Sequence, residues 1–149
     1  MTLASVPGDA NDRSGDCTAL KLRRTTRRLT QIYDDALAPH RVTVGQLGIL
    51  AGLQRSRGIA IGELAERLST DVSTSSRLLG PLKAAVLLSV ETDPDDRRAK
   101  LLRLTEAGAA KVHAAAPSWQ AAQDRVADLL SRQRLAALQF ILDDAFGYL

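Results

Sequence analysis

Between Leu68 and Val72 the chain has only Ser69, Thr70 and Asp71 in which to end one helix and begin another. The preceding pattern Ile61, Leu64, Ala65, Leu68 has helical spacing over about two turns. Asp71 stands at an N-cap position, and Leu78, Leu79 and Leu82 give the next segment, Val72 to about Ala85, an inward face. Two helices joined by so tight a turn form a helix-turn-helix, in which the first braces the second and the second is free to enter a DNA major groove. The first turn of that second helix reads Val72, Ser73, Thr74, Ser75, Ser76, Arg77. Short hydroxyl residues are poor helix formers, so they either cap the helix start or contact bases and phosphates, with Arg77 long enough to reach a guanine edge or a phosphate.

The segment after this helix narrows the choice. Val86 to Val90 and Lys100 to Leu104 are short apolar stretches flanking Thr92, Asp93, Pro94, Asp95, Asp96, Arg97 and Arg98, which signals a β-hairpin with a long turn. A lone charged turn of this kind is ordinarily a solvated face. Directly after a helix-turn-helix it is a wing, where neighbouring acids can hold an arginine in a fixed pose for a narrow minor groove or a flanking phosphate.

The flanks are helical. Residues 1–16 mix Pro, Gly, Asp, Asn and Ser without an apolar period and read as a disordered tail. From Thr18 to Leu37, Leu22, Thr26, Leu29, Tyr33 and Ala36 recur at helical spacing, with Arg23, Arg24, Arg27 and Arg28 clustered away from them. Thr43 and Gln46 have capping-box spacing and open a helix to about Ser56. Thr105 can cap a helix from Glu106 to about Leu130, kinked or locally broken at Pro117. A last helix, Arg132 to Phe146, carries Leu135, Leu138, Ile141, Leu142 and Ala145 on one face.

Several function classes fall away. The 149 residues fit one ordinary domain and leave no room for a separate catalytic domain. No Gly-rich phosphate loop, HExxH pair or Gly-x-Ser-x-Gly elbow occurs, so no enzyme is expected. One cysteine and two distant histidines, His40 and His113, predict neither a disulfide nor a zinc site, and no cofactor is expected. No apolar run approaches a membrane span and no signal peptide is recognisable, so the expected location is cytoplasmic. The net charge is +3, with the basic excess before residue 105. Aromatic residues are 3% of the chain, too few for single-strand stacking platforms, which makes duplex DNA the expected nucleic acid.

The stretch from Ile61 to Gly108, IGELAERLSTDVSTSSRLLGPLKAAVLLSVETDPDDRRAKLLRLTEAG, resembles the MarR (multiple antibiotic resistance regulator) family of winged-helix transcriptional regulators, DPDDRRAK followed by LTEAG being its most specific portion. The likeness covers roughly residues 18–149 and implies a mainly α fold with a small β-hairpin wing. Its implied parts are a first dimerisation helix at 17–42, a winged helix-turn-helix DNA-binding domain at 43–104 and C-terminal dimerisation helices at 105–149, interlocked in a homodimer. By the same likeness Ser73, Thr74, Ser76 and Arg77 lie on the reading helix. Arg97, Arg98 and Lys100 reach DNA from the wing, which Asp93 and Asp96 order. Departures are Val72 where the family often has a basic residue, Ala85 where a glycine usually ends the reading helix, and Gly80–Pro81 interrupting that helix.

The implied function is a transcriptional regulator, a repressor, released from a pseudo-palindromic operator by a small effector. Family effectors lodge between the dimerisation helices and the DNA-binding lobe and are frequently anionic aromatic compounds. Arg24, Arg27, Arg28 and Tyr33 are the expected pocket residues, the arginines pairing with a carboxylate. Two alternatives stand beside this reading. One is a thiol-based redox sensor using Cys17, although the family's sensing position matches Ala19 here; the other is a helical protein-interaction module without DNA binding.

Overall fold

A computed structural model describes residues 17–68 and 71–149. The expected tail, 1–16, and two residues of the tight turn, Ser69 and Thr70, lie outside the described residues. The elements are α1 (Thr18–Leu37), a short 3-10 turn (Ala38–His40), α2 (Val44–Gln54), β1 (Ile59–Ala60), α3 (Ile61–Arg67), α4 (Val72–Ala84), β2 (Leu88–Thr92), β3 (Lys100–Leu104), α5 (Glu106–Leu130) and α6 (Arg132–Tyr148).

Side chains start the helices where the sequence places caps. Thr43 and Gln46 form both halves of a capping box on α2. Asp71 Oδ1 accepts from the Thr74 backbone at 2.7 Å, and Thr105 Oγ1 accepts from Gly108 at 3.0 Å. The sheet is antiparallel with order β1-β3-β2, and Val90 faces Leu102 in its central register. Leu102 is fully buried where the sheet meets α2, whose Leu47, Ile49, Leu50 and Leu53 supply much of the core. Leu64, Leu79 and Leu82 complete it from α3 and α4, so the helix-turn-helix and the sheet share one interior.

The α1–α2 link is tied to α5. Lys111 Nζ donates to the His40 carbonyl at 3.0 Å, and His40 Nε2 is hydrogen-bonded to Ser118 Oγ at 2.9 Å. At its start, α5 is seated on the base of the sheet, because Thr105 Oγ1 donates to the Val86 carbonyl at 2.7 Å. Gly108 passes so close to the Leu87 carbonyl that a Cβ there would lie 2.0 Å from its oxygen.

The structure corrects several expectations. Gly80 and Pro81 do not interrupt α4, which runs unbroken past them, and of the kink or local break expected at Pro117 the break is absent, since α5 continues through it. In each case one backbone bond is lost while neighbouring turns remain packed. Leu78 is 37% exposed and does not belong to the inward face, which is made by Ser75, Leu79 and Leu82. The left-handed residue after α4 is Val86, φ 58°, not Ala85. Val86 N donates to the Lys83 carbonyl and Leu87 N to the Leu82 carbonyl, the bond pair of a glycine-type helix stop made here by a β-branched residue. A strand that no sequence pattern signals, β1, pairs Ile59 with Leu102 and Ala60 with Leu101. The last helix ends at Tyr148 and buries none of its residues; Phe140 and Phe146 are each 71% exposed.

Candidate nucleic-acid interface

The outer face of α4 is set by where its inner face must go. Ser75, Leu79 and Leu82 are buried, which turns Ser73, Ser76 and Arg77 outward as exposed neighbours at helical spacing. Thr74 is half-buried between the two faces. Its hydroxyl donates to Asp71 Oδ2 at 3.0 Å and lies 3.2 Å from the Arg77 Nη2 that donates to it. The backbone and hydroxyl donors of Thr74 hold the Asp71 carboxyl below the ordinary aspartate range. The α4 N-terminus adds the positive end of a 13-residue helix to a face that already carries a cation.

At the hairpin tip, Asp93 Oδ1 accepts from the Asp95 backbone at 2.9 Å and Asp96 Oδ1 from the Arg98 backbone at 3.0 Å. These Asx-type bonds shape the turn. The acids therefore take backbone donors, whereas the sequence pattern predicts that they clamp an arginine. Arg97 and Arg98 are exposed, with no ion pair among the described residues. Lys100 Nζ reaches across the register to Thr92 Oγ1 at 2.9 Å. Lower on the strands, Arg103 Nε lies 2.8 Å from Glu91 Oε2, a cross-strand pair that becomes visible only once the register is known.

The four residues expected around an effector are not brought together. Arg24 and Arg28 line a cavity of about 560 Å³ walled by Leu29, Ile32, Val126 and Leu138. Arg27 joins them on an adjoining, more polar hollow with Gln31. Tyr33 lines neither. Its hydroxyl donates to Gln123 Oε1 and its ring lies 6.3 Å, centroid to centroid, from Trp119; partial burial raises its phenol above the ordinary range. Trp119 instead lines a cavity of about 450 Å³ between α2 and α5, with Val44, Leu47, Ala51, Gln54, Arg55 and Val112. Cys17 is exposed immediately before α1. Among the described residues no three His, Cys, Asp or Glu stand together as a metal site, and no helix is long and apolar enough to cross a membrane.

Residues 41–99, from the end of the α1–α2 link through the wing tip, match the model of the MarR family. The match takes in the helix-turn-helix and most of the wing, and it makes this segment similar to the MarR family. A curated relative, the HTH-type transcriptional repressor NicR of Pseudomonas putida, is 28% identical over 140 residues, 93% of this chain and 86% of that protein. Among solved structures, the transcriptional repressor CouR bound to a 23-mer DNA duplex is 24% identical, with a TM-score of 0.80 over 95% of this chain and 99% of its own. Bordetella bronchiseptica BpsR, whose DNA binding is described as regulated by 6-hydroxynicotinic acid, is 24% identical with a TM-score of 0.79, covering 94% and 97%. The mainly α winged-helix fold is shared with these structures across essentially the whole chain.

Proposed function

We propose that the chain is a homodimeric transcriptional repressor that binds duplex DNA and is released from it by a small anionic aromatic effector. The observation that carries this reading is the outer face of α4, where Ser73, Ser76 and Arg77 stand exposed together because Ser75, Leu79 and Leu82 fill the core. Arg97 and Arg98 extend the same basic character to the hairpin, and the similarity to NicR and CouR, both named repressors, supports it. The open apolar surface of α6 supports a two-fold partner: a helix that buries nothing in one chain acquires a core when a second copy covers it.

For the effector, the likeness to BpsR supports a pyridine or benzene carboxylate. Two cavities offer suitable chemistry: apolar walls below Arg24 and Arg28, and the Trp119 cavity edged by Arg55. The second lies between α2 and α5, so an occupant there bears on the seat of the DNA-binding lobe directly.

The decisive experiment selects bound duplexes from a random pool. A pseudo-palindromic consensus with half-sites one helical turn apart is expected, since two reading helices meet successive major grooves only at about 34 Å. The selected duplex is then titrated with 6-hydroxynicotinate while Trp119, the only tryptophan, reports on its cavity by fluorescence. Recovery of unenriched sequences, or a single-chain mass at micromolar concentration, would overturn the reading.

A further inference from the structure

Thr74 sits among residues whose exposure suits DNA contact, yet its own bonds point elsewhere. A threonine hydroxyl has one proton and two lone pairs. That proton is directed to the Asp71 carboxylate at 3.0 Å, and one lone pair receives the Arg77 guanidinium at 3.2 Å. To donate to a phosphate or a base, the hydroxyl would have to leave a carboxylate, the stronger acceptor. A phosphate approaching Thr74 would also meet the Asp71 negative charge. Arg77 is in the opposite position: one of its five N–H donors is used within the helix, and the guanidinium is exposed. Enough donors remain for a bidentate contact to guanine.

We propose that Thr74 is a positioning residue: with Asp71 it fixes the pose of Arg77, so that base preference at one position of each half-site depends on a hydroxyl that touches no base. The proposal rests on the DNA-binding reading above and deepens it. The geometry suits the task in three ways. Asp71, Thr74 and Arg77 follow one another at i, i+3, i+6, so each can reach the next along one side of the helix. A helical threonine has two χ1 rotamers open to it, and the bond to Asp71 Oδ2 selects the one seen here. Asp71 is itself held by the Thr74 backbone N–H at 2.7 Å, so the row is anchored at the helix start and ends on the side chain that reads. An arginine already held in its bound pose loses less rotamer freedom on binding.

The test uses the duplex selected from a random pool by the unmodified protein, and copies of it with each half-site base pair replaced in turn. Thr74→Val keeps the β-branch and the backbone donor to Asp71 and replaces the hydroxyl with a methyl group. Immobilising a rotamer-rich side chain amounts to about two- to tenfold in affinity. Thr74→Val is expected to relax preference by about that factor per half-site, at the position that Arg77→Ala relaxes. In an Arg77→Ala background the same change should have no further effect, and Thr74→Ser should restore most of the preference. The dependence of binding on salt should stay as in the unmodified protein, because no phosphate contact is lost. Asp71→Ser keeps a capping oxygen and gives a second route to the same readout if Thr74→Val does not fold. The proposal is overturned if Thr74→Val weakens all duplexes equally, adds in full to Arg77→Ala, or leaves preference untouched while Arg77→Ala relaxes it. If the unmodified protein selects no duplex, the DNA-binding reading falls first; a selected consensus with an unaffected Thr74→Val condemns the positioning role alone.

Discussion

Replacing Gly108 with alanine adds one methyl group where the structure has no space for it. The new Cβ would lie 2.0 Å from the Leu87 carbonyl oxygen and 2.6 Å from Leu104 Cδ1. Leu104 can rotate, but the carbonyl is backbone. It accepts from Thr105 N at 3.2 Å, and Leu87 N is committed to the Leu82 carbonyl at 2.9 Å, so retreat of that peptide breaks bonds at the end of α4 and the start of α5. Relief requires a displacement above 1 Å in a close-packed region, at the upper end of the overpacking range, about 3 kcal/mol. Alanine returns up to about 1 kcal/mol of helix propensity. The expected net loss is therefore about 2 kcal/mol, or roughly 4 to 8 °C in Tm for a chain of this size. Urea unfolding at fixed protein concentration measures it, with Gly52→Ala as control: no heavy atom lies within 4 Å of that Cβ, and alanine there should gain about 0.5 to 1 kcal/mol. If Gly108→Ala is as stable as the unmodified protein, the close approach of α5 to the sheet is wrong.

Three further outcomes can be checked. Val86→Gly removes a left-handed β-branched residue and should stabilise by about 1 kcal/mol in the same unfolding assay, whereas a loss would mean that Val86 contributes packing greater than its strain. Phe140→Glu on the open face of α6 should lower the mass seen by sedimentation towards that of one chain without abolishing helical circular dichroism; an unchanged mass would remove α6 from the interface. Because the folded Asp71 carboxyl titrates below its ordinary value of about 3.9, its ionised form contributes stability at neutral pH. That contribution is lost as pH falls through the lower folded value, so the stability gap between unmodified protein and Asp71→Asn should shrink in that acid range. A gap that widens there would contradict the sign.

The elements legible in the sequence were those whose cause is local. Thr43, Asp71 and Thr105 cap the helices they precede, because a cap needs only a side chain and a backbone donor two or three residues on. The exposure of Ser73, Ser76 and Arg77 follows from periodicity in the same way. Features set by distant neighbours were not legible. Strand β1 has two residues and exists because β3 passes beside it. Leu78 carries the same letter as Leu79 and differs only in what lies opposite. Tyr33 shares an amphipathic helix with Arg24, Arg27 and Arg28, but its hydrogen bond reaches Gln123, 90 residues away. At the hairpin the acids were legible as turn formers, while their choice of backbone over arginine depended on the exact fold of the turn.

The seating of Gly108 against Leu87 has a mechanical consequence. With no gap at that point, a slide or roll of α5 against the base of the hairpin has to displace the Leu87 carbonyl, which couples the helix to the sheet. Twenty-five residues at 1.5 Å each make α5 about 37 Å long. A rod of that length tilted by about 5° displaces its far end by about 3 Å. Two such rods in a two-fold assembly would change the separation of their tips by about twice that, a large fraction of a major groove about 12 Å wide. In such an assembly no flexible wing would be required for the two tips to part; a small change in the angle of α5 would suffice.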